Sequence, residues 1–262
     1  ILILAIAIGL NTAAFSVVDA LLFRPAPYTA ADRIVHIYQD ADEGGADAVS
    51  FPAYREMAGL GDVFSAVAAT SPAQVTWDDG SGLRELAAEF ATSSYLAVLG
   101  LSPTRGRWFD AEHDHVGSDM VAVLSHAAWR RRFGADPDVI GRTLRLNSRT
   151  VTVIGVGPAG YNGEAGTLVT DVWLSISSTP VGGPYRVANL DRREDHWYLV
   201  KARLAPGAGI GAARAAVDAL AMDMASRFPD VDGGRGRALA ARAAGTAAIA
   251  GRGARSTLGR SL

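Results

Sequence analysis

Gly155, Gly157 and Gly160 stand in VTVIGVGPAG (151–160) with the G-x-G-x-x-G spacing. After a strand, that spacing can deliver a pyrophosphate to the free N–H groups of a helix N-terminus. The chemistry needs a helix to begin at once. Tyr161-Asn162-Gly163-Glu164-Ala165-Gly166 are turn formers instead, and the preceding strand reads as half of an antiparallel hairpin. The spacing therefore predicts a tight exit from a strand. His113 and His115 flank Asp114 and, in an extended segment, would point one way as two metal ligands. No third ligand is identifiable, and DAEHDHVGSD reads as an exposed loop. Glu194, Asp195 and His196 could supply an acid–base pair, but such pairs need convergence from separated segments. Neither G-x-S-x-G nor H-E-x-x-H occurs. Arg130, Arg131 and Arg132 resemble a phosphate comb, yet successive helical residues rotate by about 100°. They are expected to fan out as a solvated face. The later arginines, Arg235, Arg237, Arg242, Arg252, Arg255 and Arg260, lack aromatic neighbours on which bases could stack.

The elements that must position these groups follow from composition and period. The chain has 262 residues, 49% of them hydrophobic, which allows a packed core. A net charge of −2 gives no general attraction to nucleic acid. The absence of cysteine excludes disulfides, thiolate nucleophiles and Cys-ligated metals. Lys201 is the single lysine, and every other basic residue is arginine. The chain starts at Ile1 rather than Met, as expected of a fragment or processed product.

ILILAIAIGLNTAAFSVVDALLF (1–23) carries no Lys or Arg. As a helix it would be about 35 Å long, enough for a hydrocarbon core of about 30 Å. A transmembrane helix is expected there, stopped by the prolines of RPAPY (24–28). Strands are expected at 33–39, 64–77, 83–92, 170–176 and 196–204, and a hairpin at 142–156 about Asn147-Ser148. Helices are expected at 50–60, 93–101, 125–134 and 209–228, with Ser50 and Ser125 as N-caps. Trp108, Phe109, Trp129, Phe133, Trp173 and Trp197 are the core candidates. Residues 233–262 read as a poorly ordered Gly/Ala/Arg-rich tail.

Five stretches, in this order, carry a resemblance: AIGLNTAAFSVVDALLFRPAPY (7–28), SSYLAVLGLSPTRGRWFDAEHD (93–114), VAVLSHAAWRRRFGADPDVIGRTLRLNSRTVTVIGVGPAGYNG (121–163), DVWLSI (171–176) and WYLVKARLAPGAGIGAARAAV (197–217). Together they resemble the MacB-like periplasmic core domain of FtsX-like ABC transporter permeases, in the orphan-permease branch. The resemblance implies an α+β fold with a two-lobed mixed or antiparallel sheet. One lobe, roughly 100–185, is nested in the other within a core domain at 24–232. It implies a place outside the cytoplasmic (inner) membrane, after the first membrane helix of a longer permease. It further implies a mechanotransmission role without catalytic, cofactor or metal residues. The implied partners are a cytoplasmic ATP-binding subunit, a second permease protomer or pseudo-dimeric half, a periplasmic or outer-membrane partner, and the lipid bilayer. No ATP-binding motif is present, so energy would come from another chain or from a segment outside this sequence. Two other readings stay open: a membrane-anchored envelope binding module, and a membrane-anchored hydrolase using His113, His115 or residues 194–196.

Overall fold

In the computed structural model, residues 29–40, 46–163, 169–182, 190–231 and 239–243 are described. The expected membrane helix, RPAPY and most of the tail lie outside these residues. In chain order the strands are β1 (Ile34–Asp40), β2 (Ala46–Asp47), β3 (Val49–Ser50), β4 (Phe64–Asp78), β5 (Leu83–Ala91), β6 (Arg105–Gly106), β7 (Val121–Leu124), β8 (Thr143–Leu146), β9 (Arg149–Val156), β10 (Val172–Ser175), β11 (His196–Leu204) and β12 (Leu239–Ala243). The α-helices among the described residues are α1 (Phe51–Ala58), α2 (Tyr95–Leu99), α3 (His126–Arg132) and α4 (Ile210–Arg227). Among the described residues, no helix is long and apolar enough to cross a membrane.

Local chemistry sets these limits. The Ser50 hydroxyl accepts from the Ala53 N–H at 3.4 Å and that of Ser125 from Ala128 at 3.1 Å, so each opens its helix as an N-cap. Gly100 ends α2 with φ +67°, a left-handed conformation that favours glycine. Asn147 and Ser148 both have positive φ, 44° and 66°, and make the two-residue turn that joins β8 to β9. At the tip of the β4–β5 hairpin, the Asp79 carboxylate accepts from the Ser81 N–H (2.8 Å) and the Gly82 N–H (3.0 Å).

The sheet runs β12-β1-β11-β4-β5-β10-β7-β9-β6, with parallel pairs only at β5–β10 and β7–β9 among those described. β8 pairs with both β9 and the far end of β4, so β4-β5-β10-β7-β9-β8 closes into a ring. The fold is α+β, with a mixed sheet. The strands within 100–185 form most of the ring, and the β4–β5 hairpin, from outside that range, supplies its remaining walls. Within the tail expected to lack order, β12 pairs residue by residue with β1, from Gln39↔Leu239 to Val35↔Ala243. This corrects the expectation for those five residues: the backbone along the outer edge of β1 gains partners that composition alone does not reveal.

Two cores result. One lies between the sheet and α1 and α4 and continues into the ring; it holds Val35, Met57, Val200, Val217, Leu86, Leu146 and Val153. The other covers the opposite sheet face, where α2, Trp108, Phe109 and Tyr161 pack on Ile34, Ala68, Ala91, Val123 and Trp173. Trp108, Phe109, Trp129 and Trp173 are buried as expected. Phe133 is half-buried and stacks on Trp77 at 4.9 Å between ring centroids, across from β4 rather than within its own helix. Trp197 is 46% exposed, contrary to expectation. It alternates with buried Tyr198 and so falls on the sheet side of Leu199, which is also exposed.

Trp129 donates from Nε1 to the Asp136 carbonyl at 2.8 Å and lies under the Arg105 guanidinium. Trp129→Ala is expected to cost about 3–5 kcal/mol, read by denaturant unfolding, because it empties a buried aromatic position. A loss below about 1 kcal/mol would remove Trp129 from the core.

Candidate functional site

The groups with chemical promise are each absorbed into structure. A Cβ on Gly157 would stand 2.6 Å from the Trp173 ring, and one on Gly155 would stand 2.3 Å from the Arg107 carbonyl oxygen. These glycines admit close neighbours rather than a phosphate. Gly160 takes φ +79° in the turn that follows, and residues 161–163 are not helical. Residues 111–114 form a 3-10 turn instead of an extended loop, so His113 and His115 diverge. His113 is buried, with Nδ1 2.6 Å from an Asp110 carboxylate oxygen, whereas His115 is exposed. Asp114 accepts from the Ser93 N–H at 2.9 Å and its hydroxyl at 2.6 Å. Glu194 is exposed beside Arg192, 3.7 Å away. Among the described residues, no three His, Cys, Asp or Glu side chains cluster closely enough to hold a metal ion.

The three arginines of α3 do not simply fan into solvent. Arg131 and Arg132 converge on the buried carboxylate of Asp171, at 3.2 and 3.0 Å, and only Arg130 of the three is left without that contact. Asp171 precedes β10, and its own N–H donates to the Ala87 carbonyl at 2.8 Å. A buried carboxylate in front of the last helical turn draws in two neighbouring guanidinium groups, overriding their rotation about the helix. Arg242 lies in β12, and the other tail arginines lie outside the described residues.

A different constellation does converge, at Thr29, the first described residue. The Thr29 N–H donates to the Leu99 carbonyl at 3.1 Å, and its hydroxyl donates to the Gly100 carbonyl at 2.9 Å. Arg203, on β11, donates from Nη2 to the Thr29 carbonyl and from Nε to the Val98 carbonyl, both at 2.7 Å. Arg33 caps the same strand end by donating to the Leu204 carbonyl. A Cβ on Gly100 would stand 2.8 Å from the Thr29 side chain, so glycine is required there for space as well as for its φ. Residues 29, 100 and 203 are far apart in sequence, and no local pattern announces this junction.

Above it, on the same sheet face, lies a buried ionisable group. Glu89 on β5 is 3% exposed and Lys201 on β11 is 5% exposed. The Trp173 Nε1–H donates to Glu89 Oε2 at 2.7 Å. Burial pushes the Glu89 carboxyl up, while the Lys201 charge and hydrogen bonds from Trp173, Thr70 and Tyr95 pull it back. Burial pushes Lys201 down to about 8 against the attraction of Glu89. His36 lies directly opposite Lys201 on β1 and is pushed down to about 4, by burial first and by the Lys201 charge second. The one signal of this group in the sequence is the lone lysine in an apolar strand of an otherwise lysine-free chain.

The family model of the MacB-like periplasmic core domain matches residues 1–220. The chain belongs to that family. Three solved structures share the fold. The periplasmic region of MacB from Actinobacillus actinomycetemcomitans has a TM-score of 0.59 at 13% identity, covering 81% of this chain and 89% of that one. A domain of a permease protein from Porphyromonas gingivalis has a TM-score of 0.53 at 19% identity, covering 83% and 90%. The extracellular domain of the noncanonic ABC-type transporter YknZ from Gram-positive bacteria has a TM-score of 0.56 at 14% identity, covering 80% and 99%. None of the curated proteins compared matches the sequence. The MacB-like domain is thus a part of ABC transporter permeases, and its fold here is that of their extracytoplasmic regions.

Gly157→Ala is expected to destabilise by about 1–3 kcal/mol in thermal unfolding, because the added methyl meets the Trp173 ring. An unchanged melting temperature would show that the ring has room to move. The pH dependence follows from His36. Unfolded, it titrates near 6.5; folded, it stays neutral to about 4. Below about pH 6.5 the unfolded state takes up a proton that the folded state refuses, so stability falls as pH drops through that window. His36→Gln is expected to lose less stability than the wild type between about pH 7 and 4.5; equal slopes would exclude His36 as the source.

Proposed function

We propose that this MacB-like domain is the extracytoplasmic body of an ABC-type permease of the cytoplasmic membrane. The helix of residues 1–23 spans the membrane, and the core domain of 24–232 follows it outside. The body relays motion from a cytoplasmic ATP-binding subunit to export of a substrate, or to a periplasmic or outer-membrane partner. A second permease protomer or pseudo-dimeric half completes the assembly. The energy comes from that ATP-binding subunit.

One observation carries the reading. β12 runs antiparallel to β1, so Ala243 lies opposite Val35, six residues from Thr29. Thr29 and Ala243, the first and last described residues, therefore lie toward the same end of β1. A body held between two membrane helices requires that arrangement, and it puts β12 beside the junction at Thr29. The three hydrogen bonds made by Thr29 are worth roughly 2–4 kcal/mol together. That is several times thermal energy, so a shift of the stalk is passed to α2 and β11 before the junction gives way. Large buried aromatics on α2's side of the sheet stiffen the rest.

The cysteine-free sequence offers a direct test. Asp62 is exposed, and Asp62→Cys in the full chain is expected to react with a membrane-impermeant maleimide added outside spheroplasts. Labelling only from the cytoplasmic side would overturn the reading.

A further inference from the structure

The glycine spacing at 155–160 shapes a turn on which distant elements converge. β9 ends at Val156, and the chain turns through Gly157, Pro158, Ala159 and Gly160 to Tyr161. Gly157 leaves room for the Trp173 ring, which would stand 2.6 Å from a Cβ there. Gly160 takes φ +79°, a conformation that side chains rarely adopt, and so turns the chain back. Tyr161 thereby lies flat on Trp173, the rings parallel within 2° and 5.7 Å apart between centroids. Its hydroxyl is 2.5 Å from that of Tyr95, and both side chains are buried.

Tyr95 is the first residue of α2. The other end of that helix makes the junction, where Thr29 bonds to the Leu99 and Gly100 carbonyls. Beyond Gly100 the chain reaches the same turn a second time. The Thr104 N–H donates to the Val156 carbonyl and its hydroxyl to the Gly157 carbonyl, both at 2.8 Å. Pro103 fixes one dihedral angle of this short connection and limits its slack. Helix α2 has five residues and is about 7.5 Å long, with Leu96, Val98 and Leu99 buried. A packed helix of that length moves as a unit. The turn therefore meets residues 95–104 at two points, one on either side of the residues that grip Thr29.

We propose that the 156–161 turn is where the ring is coupled to the stalk, with Tyr95 and Thr104 as positioning residues that carry displacement of Thr29 into it. The inference rests on the reading of residues 1–23 as a membrane stalk only for the source of the motion; the coupling itself lies within the body. Displacement at Gly100 pulls on Thr104 and on α2 together. Tyr161 follows Tyr95, because pulling two buried hydroxyls apart removes a hydrogen bond that water does not replace. Trp173 follows Tyr161 through ring stacking and holds Glu89 on β5 by its indole N–H, at 2.7 Å. Motion thus reaches β9, β10 and β5 of the ring. Gly157 and Gly160 serve this contact: one admits Trp173 and the other aims Tyr161.

Residue-resolved hydrogen exchange in the full chain tests the coupling in both directions. Tyr161→Phe removes the hydroxyl contact to Tyr95, at the end of α2 away from Thr29. It is expected to speed exchange of the Gly100 and Leu101 amides, which bond to Ala97 and Leu96, by roughly fivefold. Exchange at Val217 in α4 is expected to stay as in the wild type, which separates coupling from a general loss of stability. In reverse, Thr29→Val is expected to speed exchange at Thr104 and Gly157 by a similar factor, because coupling between two sites is reciprocal. Thr29→Ser keeps the hydroxyl and is expected to match the wild type. Unchanged junction amides in Tyr161→Phe, or an equal rise at Val217, would overturn the coupling. So would a turn that ignores Thr29→Val or responds equally to Thr29→Ser. Tyr95→Phe removes the same contact and decides if Tyr161→Phe does not fold. The labelling of Asp62→Cys can fail while this coupling holds, and the coupling can fail while the labelling result stands.

Discussion

The backbone of β4 must be paired along fifteen residues while two different bodies form on either side of it. Buried N–H and C=O groups left without partners are costly, so each stretch of this strand recruits a neighbour. The stretch from Phe64 to Thr70 takes β11, that from Thr70 to Asp78 takes β5, and the far end also takes β8. Everything else is arranged around that demand. β11 brings β1 and then β12; β5 brings β10, β7 and β9; and β8 returns to close the ring. The interior of the ring is filled by Val75, Leu86, Leu144 and Val153, which makes it a packed core rather than a channel.

Charge is used within this frame to join parts that backbone pairing cannot join. Asp171 ties α3 to the start of β10 through Arg131 and Arg132. Glu56 ties α1 to α4 and to the loop before β11, by contacts to Arg227 and Arg193. The Arg193 guanidinium also lies 3.7 Å from the centre of the Phe228 ring, at the end of α4. Arg203 ties the incoming chain to α2. In each case an acidic or carbonyl acceptor on one element meets an arginine from a distant one. An arginine fork suits that work, since one side chain can hold two acceptors in fixed geometry.

Local signals were legible and long-range ones were not. The turn at Asn147-Ser148, the serine caps and the ends of β11 follow from neighbouring residues, and their positions agree with expectation. The glycine spacing at 155–160 was readable as a strand exit because no helix could follow. By contrast, the convergence of Arg131 and Arg132 depends on Asp171, which lies 40 and 39 residues away respectively. The 3-10 turn at 111–114 depends on Asp110 and His113 capping each other, a contact that the apparent loop composition masked. Trp197 was assigned to the core on size, though the alternation of its own strand puts it outside. The closure of the ring depends on β8 meeting β4 across some seventy residues of chain, as the bond from Asn147 to Thr76 shows.

β12 lies at residues 239–243, past the 1–220 span that the family model matches. A fragment trimmed to that span would keep every strand from β1 to β11, but it would lose the end of α4 with its core residue Met224 and strip the partner from the rim of the sheet. Alternate residues of β1 along that rim would then offer open donors and acceptors to any neighbouring molecule. Such a fragment invites sticking of one molecule to another in solution, and self-association measured on it would report the cut instead of the native assembly.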